Sequence, residues 1–426
     1  MQTAKQKLKR AAPWLFLLLV LAGLAAVRGL AANYEIGYEI MNGDFQNYNP
    51  VRHLLAGQVP YRDFTVYLGA GELYSVGGLL LVLGNSFGRS MFATNFCTWF
   101  YFELLVLAVC LVVIGTARAA RAAALALCSV FFAYVQGANL PFAGQVNTLL
   151  SYAAANGNSA RMMRSVALTL AVLVILLGLH FWQQDTSRRL LAPAVLVPFA
   201  AGFFVPWSND MGGAAYISIA LGYGLYLIRL YRSSIGKIVV QTLRYIVTSV
   251  VGLGVSVLLI SWGHPLAWLR QTRGTSAYQT WYYGNTLSDR VCSVADLHWP
   301  GVAVFCLAAA LAFAIGIFVC RSKRSAVLAA GGFALTLGMV LWNLLYGMVS
   351  ASNNGPTGGA AALAAVLAPA CIIKAVLLVC QKVSFPQVAA HIVPAGCAVL
   401  GAAVLAVGMA GQVQLSLIHI SEPTRH

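Results

Sequence analysis

The sequence predicts an all-α, polytopic membrane protein of about eleven transmembrane helices, with juxtamembrane or re-entrant elements in its first outer loop. Three observations predict it. Hydrophobic residues make up 60% of the 426 positions, and the mean hydropathy is +0.78, which excludes an ordinary soluble domain. The apolar residues fall in repeated runs of about 20, enough to cross roughly 30 Å of hydrocarbon as helices. Two-residue alternation is absent from these runs, which excludes the closed barrel, the other structure that satisfies its backbone in lipid.

The chain opens on "KQKLKRAAPWLFLLLVLAGLAAVRGLAA" (5–32), a basic start followed by an apolar run long enough to span. With many apolar runs behind it, this reads as an uncleaved first helix near 12–31 rather than a signal peptide. Further spans fall near 91–115, 122–136, 165–183, 190–206, 212–230, 243–262, 299–320, 325–349, 359–380 and 388–410. The glycine-rich segment 66–84, "VYLGAGELYSVGGLLLVLG", contains Glu72 and is the ambiguous one.

Basic residues decide its reading. If 66–84 lies along or dips into the membrane, seventeen Lys and Arg fall on the cytoplasmic side, against nine elsewhere before residue 415. The cytoplasmic set includes Lys5 to Arg10, Arg118, Arg121, Arg188, Arg189, Arg229, Arg232, Lys237, Arg244, Arg321 to Arg324, Lys374 and Lys382. Of the ten acidic residues before position 415, eight then lie on or beside the extracytoplasmic side: Glu35, Glu39, Asp44, Asp63, Glu72, Asp210, Asp289 and Asp296. The exceptions are Asp185, in a cytoplasmic turn, and Glu103, inside a span. The two large outer segments are the first loop, 32–90, and a long loop, 263–298.

Residues 1–414 thus read as one integral membrane domain. Residues 415–426, "LSLIHISEPTRH", match in-frame translation of a sequencing adapter, so a non-native tail is expected there and the protein is expected to continue beyond Gln414. His419, Glu422 and Arg425 carry no functional weight on that reading.

Several function classes are excluded. The formal charge of +16 is distributed between apolar runs, not gathered on a soluble face, which points to membrane flanks and not nucleic acid. The nine cysteines show no paired metal spacing, and all but Cys292 lie in apolar runs, where a thiol behaves as a small hydrophobe. "GAGELYSVGG" lacks the Lys-Ser/Thr of a phosphate-binding loop, and no HExxH or dinucleotide fingerprint is present.

The polar interest sits in "GDFQNYNPVRHLLAGQVPYRDF" (43–64). Asp44 has two readings. It could cap a following helix, or it could be a carboxylate whose basicity is raised by partial desolvation at the membrane interface. Pro50 argues for a broken or later-starting helix that ends at Gly57. Arg62 and Asp63 are adjacent, a pairing that most often braces a loop. Glu103, in "FYFELLVLAV", is either an intramembrane proton site or a hydrogen-bonded interfacial group.

Within 38–92 the chain resembles the first outer loop of the C-type glycosyltransferase (GT-C) superfamily, multi-span enzymes that use polyprenyl-phosphate-linked sugars. The residues that carry this are Asp44 after the first helix, then Ala56, Gly57, Pro60, Tyr61, Asp63 and Phe64, then Gly84, Ser86 and Arg89. Where related enzymes often carry Pro-Pro, this chain has "LGAGE" (68–72), and Asn42-Gly43 replaces a paired acidic motif. Those departures leave the sugar open and allow a catalytically inactive relative.

The resemblance implies that Asp44 is the general base deprotonating an acceptor hydroxyl, with in-line attack and inversion at the anomeric carbon. A lipid-phosphate leaving group then needs cations, not an acid. Arg161, Arg164, Arg270, Arg273 and Arg290 are the donor- and phosphate-binding candidates, with lipid headgroups as their alternative partners. Arg62, Asp63, Glu72, Trp207 and Asp210 are the substrate-binding candidates. Trp207 would stack on a sugar face, and Asp210 would either contact the donor or cap the next helix. No cofactor is required. A divalent metal shared by Asp44 and Asp210 stays open, since no ligand spacing demands one. The implied partners are the bilayer, a polyprenyl-phosphate sugar donor and an extracytoplasmic glycan, lipid or protein acceptor, with the protein in a bacterial inner membrane and its N-terminus cytoplasmic. A multi-span carrier or lipid-linked-oligosaccharide flippase is the alternative from another class. Such a carrier would place its ionisable residues at mid-membrane.

Overall fold

The computed structural model describes residues 4–32, 41–135, 140–154, 195–209, 211–283, 300–349, 354–382, 392, 394–397 and 399–406. In chain order the helices are α1 (Ala4–Ala32), α2 (Met41–Leu55), α3 (Ala70–Leu83), α4 (Phe87–Ile114), α5 (Ala117–Val135), α6 (Ala143–Ala154) and α7 (Val197–Phe203). After a 3-10 turn at Val205–Trp207 come α8 (Met211–Tyr231), α9 (Ile235–Ile260), α10 (Pro265–Tyr283), α11 (Pro300–Val319), α12 (Lys323–Val349) and α13 (Asn354–Lys382). Among the described residues there is no strand, and the one strand-like pairing is an isolated bridge between Pro60 and Phe64.

Among the described residues the fold is all-α, and seven helices are long and apolar enough to cross a membrane. They are Ala11–Ala31, Phe87–Ile114, Ala117–Val135, Met211–Tyr231, Ile235–Ile260, Lys323–Trp342 and Ala362–Cys380, each overlapping an expected span. The expected spans 190–206, 299–320 and 388–410 correspond to shorter apolar helices, Val197–Trp207, Val304–Val319 and Pro394–Ala406. The expected span 165–183 lies outside the described residues. Segment 66–84 yields α3, whose 14 residues reach about 21 Å at 1.5 Å per residue, short of the roughly 30 Å hydrocarbon layer.

Helix α4 forms the axis of the bundle. It is the most buried of the seven candidate spans, and α1, α5, α12 and α13 pack around it. Trp99, Phe102 and Leu105 of α4 are among the largest fully buried side chains and join Leu21 of α1, Phe132 of α5 and Trp342 of α12 in one apolar core. Helix α8 packs on α12, and α7 lies against α9 so closely that only glycine fits at the crossing. A Cβ on Gly202 would collide with the Ser249 backbone, and one on Gly252 with the Phe199 backbone. Such small-residue crossings let helix backbones approach in lipid, where association relies on packing.

Two helices differ from expectation. Helix α2 runs through Pro50 without a break and includes Asp44 as its fourth residue, so Asp44 is not the residue before the helix. Pro50 removes only the bond to the Gln46 carbonyl, and burial of Asn47 and Val51 on either side holds the helix together. It ends as expected, with Gly57 at φ 79° and Gln58 N–H donating to the His53 carbonyl at 3.1 Å. Helix α9 starts at Ile235, not 243, which places Lys237 inside it beside Arg244. Long basic side chains are good helix formers that can carry their charge toward the interface.

The basic residues expected on one side meet at one end of the bundle. Lys374 Nζ donates to the Ile114 carbonyl at 2.9 Å, and Arg324 Nη2 to the Gly115 carbonyl at 3.2 Å. Both cations therefore sit at the C-terminus of α4, where the last carbonyls lack helical partners and the dipole is negative. Arg229 similarly bonds the Cys320 carbonyl at the end of α11, and Arg121 lies 4.8 Å over the Trp14 ring.

Candidate functional site

At the opposite end, three segments far apart in sequence assemble on a second, smaller core of Val51, Tyr61, Val66, Leu73, Leu80 and Ile260. They are the loop 56–69, the turn 204–209 and the start of the long outer segment, 261–271.

The loop is built by its own chemistry. Tyr61 has φ 68°, a left-handed conformation unusual for a side chain of this size, and its N–H donates to the Phe64 carbonyl at 3.1 Å. The Tyr61 ring is buried and its phenol has no hydrogen-bond partner, so desolvation pushes its pKa upward. Asp63 accepts from Arg62 Nε at 2.8 Å, from Arg62 Nη2 at 3.1 Å and from the Val59 N–H at 2.8 Å. The Arg62 hydrogen bonds, followed by the backbone donor, hold the Asp63 pKa down at about 2. Arg62 Nη1 also reaches His264 Nε2 at 3.2 Å, which ties the loop to the turn after α9. Arg62 and Asp63, substrate candidates from sequence, are thus a brace.

The turn 204–209 closes over the same loop. Asn209 Nδ2 donates to the Tyr67 carbonyl at 2.7 Å, and Asn209 N–H to the Leu68 carbonyl at 3.3 Å. Gly69 sits at φ 113° beneath this turn, where a Cβ would lie 2.6 Å from the Trp207 carbonyl oxygen. The Trp207 ring packs on Phe204 and Phe203, with centroids 5.6 and 6.3 Å away. Its indole N–H is buried without a partner. Ser208 Oγ accepts from the Met211 N–H at 3.1 Å, which places Ser208 as a cap before α8. Asp210 itself lies outside the described residues.

Helix α10 completes the assembly. Gln271 grips Val66 twice, accepting from its N–H at 3.2 Å and donating to its carbonyl at 2.9 Å. Tyr74 of α3 donates to the Ile260 carbonyl at 2.7 Å, and Ser75 and Tyr101 hydroxyls meet at 2.6 Å, which fixes α3 on both α9 and α4. Glu72 is buried in the first turn of α3, where the helix dipole favours a carboxylate.

The Asp44 helix meets the motif turn at 84–89. Phe45, next to Asp44, packs on Phe87 at 5.4 Å, and Tyr48 Oη donates to Asn85 Oδ1 at 2.9 Å. Gly84, at φ 94°, leaves room for the Arg89 guanidinium, and Ser86 Oγ accepts from the Arg89 N–H at 3.4 Å at the start of α4. The backbone of Asp44 is therefore held beside the turn that carries the exposed Arg89. The Asp44 side chain lies outside the description, as do residues Arg161, Arg164 and Arg290. Arg270 and Arg273 are exposed on α10 and make no contact with the loop cluster through the hydrogen bonds that fasten it.

Among the described residues, no three His, Cys, Asp or Glu side chains gather as a metal site requires. Glu103 is fully buried in α4 near the Trp99 indole, and among the described residues its carboxyl oxygens complete no well-formed hydrogen bond. Sequence reasoning did not single out Asn209, His264 or Gln271. A polar residue inside the "PWSND" turn was a usable signal for Asn209, whereas nothing local marks His264 or Gln271.

No protein-family model matches the chain, and no curated protein or solved structure does.

Proposed function

We propose that the protein is a membrane glycosyltransferase that moves a sugar from a polyprenyl-phosphate donor to an extracytoplasmic acceptor. Asp44 acts as general base on the acceptor hydroxyl, attack is in line, and the anomeric carbon inverts. Cations take up the developing charge on the leaving phosphate. Arg89 joins Arg161, Arg164 and Arg290 as a candidate for that role, because the Phe45–Phe87 contact brings its turn to the Asp44 helix. The full topology is eleven spans in a bacterial inner membrane, with the basic end cytoplasmic and the N-terminus on that side. A divalent ion between Asp44 and Asp210 is compatible with this scheme and not required by it.

The observation that carries the reading is the 38–92 motif, supported by how its residues are used. Ala56 to Phe64 form a braced loop, and Gly84, Ser86 and Arg89 form one turn against the Asp44 helix. The braced loop, the 204–209 turn and the start of α10 meet at one end, with Lys374 and Arg324 at the other. The test is reconstitution in vesicles with radiolabelled polyprenyl-phosphate hexoses and pentoses, scoring transfer and anomeric configuration. Transfer with inversion supports the reading, and movement of the labelled lipid across the bilayer without transfer contradicts it.

Glu103 favours a second reading, a carrier or flippase. A carboxyl at full burial with no well-formed hydrogen bond is what a coupled transporter places between helices. Among the described residues Glu103 is the one carboxylate in the middle of a candidate span, which makes this the weaker account.

A further inference from the structure

We infer that α10 is an in-plane membrane anchor whose outer face binds anionic phospholipid headgroups through Arg270 and Arg273. The helix has two faces. Gln271 bonds Val66, and Ala267 and Trp268 pack on the smaller core, so that side is committed to the protein. Leu266, Leu269, Arg270 and Arg273 are spaced three and four residues apart and share the other face. The two leucines are 65% and 56% exposed, and both arginines are exposed.

Bilayer lipid is the occupant that this face fits. It continues the exposed apolar side of α9, where Leu258 and Leu259 stand out and Trp262 marks the turn between the helices. That side of α9 is covered by acyl chains in a membrane, and α10 begins two residues after the positive-φ pair Trp262 and Gly263. Leucines that enter the acyl boundary beside arginines at headgroup level are the pattern of interfacial helices. A guanidinium presents paired donors to a phosphate, and arginine's stem can lie along the apolar layer. Substrate binding in the loop cluster would need the arginines on the Gln271 side, a half-turn away.

The experiment uses the full chain in vesicles, with Leu266 or Leu269 replaced in separate variants by photoreactive benzoylphenylalanine. Irradiation in phosphatidylglycerol/phosphatidylcholine vesicles is expected to give lipid adducts at both sites, enriched in phosphatidylglycerol. The same probe at Ala267 is expected to cross-link within the protein. Arg270→Gln with Arg273→Gln should cut the phosphatidylglycerol enrichment at least about fivefold, in keeping with the electrostatic worth of a basic residue at an anionic surface. Absence of lipid adducts at 266 and 269 would overturn the anchor. Adducts indifferent to phosphatidylglycerol would overturn the headgroup role, and so would their displacement by an equimolar amount of polyprenyl phosphate, which would assign the arginines to the donor instead.

Discussion

Asn209 donates its side-chain amide to the Tyr67 carbonyl at 2.7 Å, joining two turns 142 residues apart in the chain. This bond, with the Asn209 N–H to Leu68, holds the 204–209 turn on the first loop. Asn209→Ala is expected to cost about 1 kcal/mol, the net worth of such a hydrogen bond. Thermal unfolding in detergent reads the loss, and protease cleavage should rise first in 56–69.

Gly69 and Gly57 make a paired comparison. Both have positive φ, but a Cβ at 57 meets open space, whereas at 69 it meets the Trp207 and Ser208 backbones at 2.6–2.9 Å. Gly57→Ala should cost about 1–2 kcal/mol, the left-handed penalty alone. Gly69→Ala should cost clearly more and separate the two turns. Equal unfolding shifts in the two variants would contradict the packing described.

The Asp63 brace has a defined pH window. Its folded pKa is about 2, below the ordinary value of 3.8, so its contribution is complete above about pH 4 and is lost as pH falls toward 2. Loop order, read by proteolysis at 56–64 with an acid protease, should hold at pH 5 and fail near pH 2. Asp63→Asn should show the loosened loop at every pH.

At the cationic end, Lys374→Met removes the donor to a half-buried carbonyl and should cost about 1–3 kcal/mol. Arg324→Ala, at an exposed site, should cost under about 1 kcal/mol. Chemical denaturation of the purified protein measures both.

Glu103→Gln separates the two functional readings. The amide keeps the shape of the buried carboxyl, so folding and glycosyl transfer should survive. A proton-coupled transport activity that this variant abolishes would favour the carrier.

Much of the fold was legible because lipid leaves the chain few options. Apolar runs of span length must be helices, and seven of the expected ones overlap helices able to cross a membrane. Helix ends were less legible. Pro50 looked like a break, but one missing hydrogen bond is small beside the burial of Asn47 and Val51. Lys237 fell before the expected start at 243, though α9 begins eight residues earlier and takes it in. At the site, the Arg62–Asp63 pairing was legible from adjacency alone, whereas its tie to His264 and the grip of Gln271 on Val66 were not, because those contacts join residues 202 and 205 positions apart.

The central claim concerns Asp44, and its most direct test is the transfer rate of Asp44→Asn. Wild type and variant are reconstituted at equal amounts with labelled polyprenyl-phosphate sugar and acceptor, and folding is matched by unfolding midpoint. Loss of a general base predicts a fall of about a hundredfold or more in transfer, with donor binding retained. Transfer by Asp44→Asn at the wild-type rate would contradict the account.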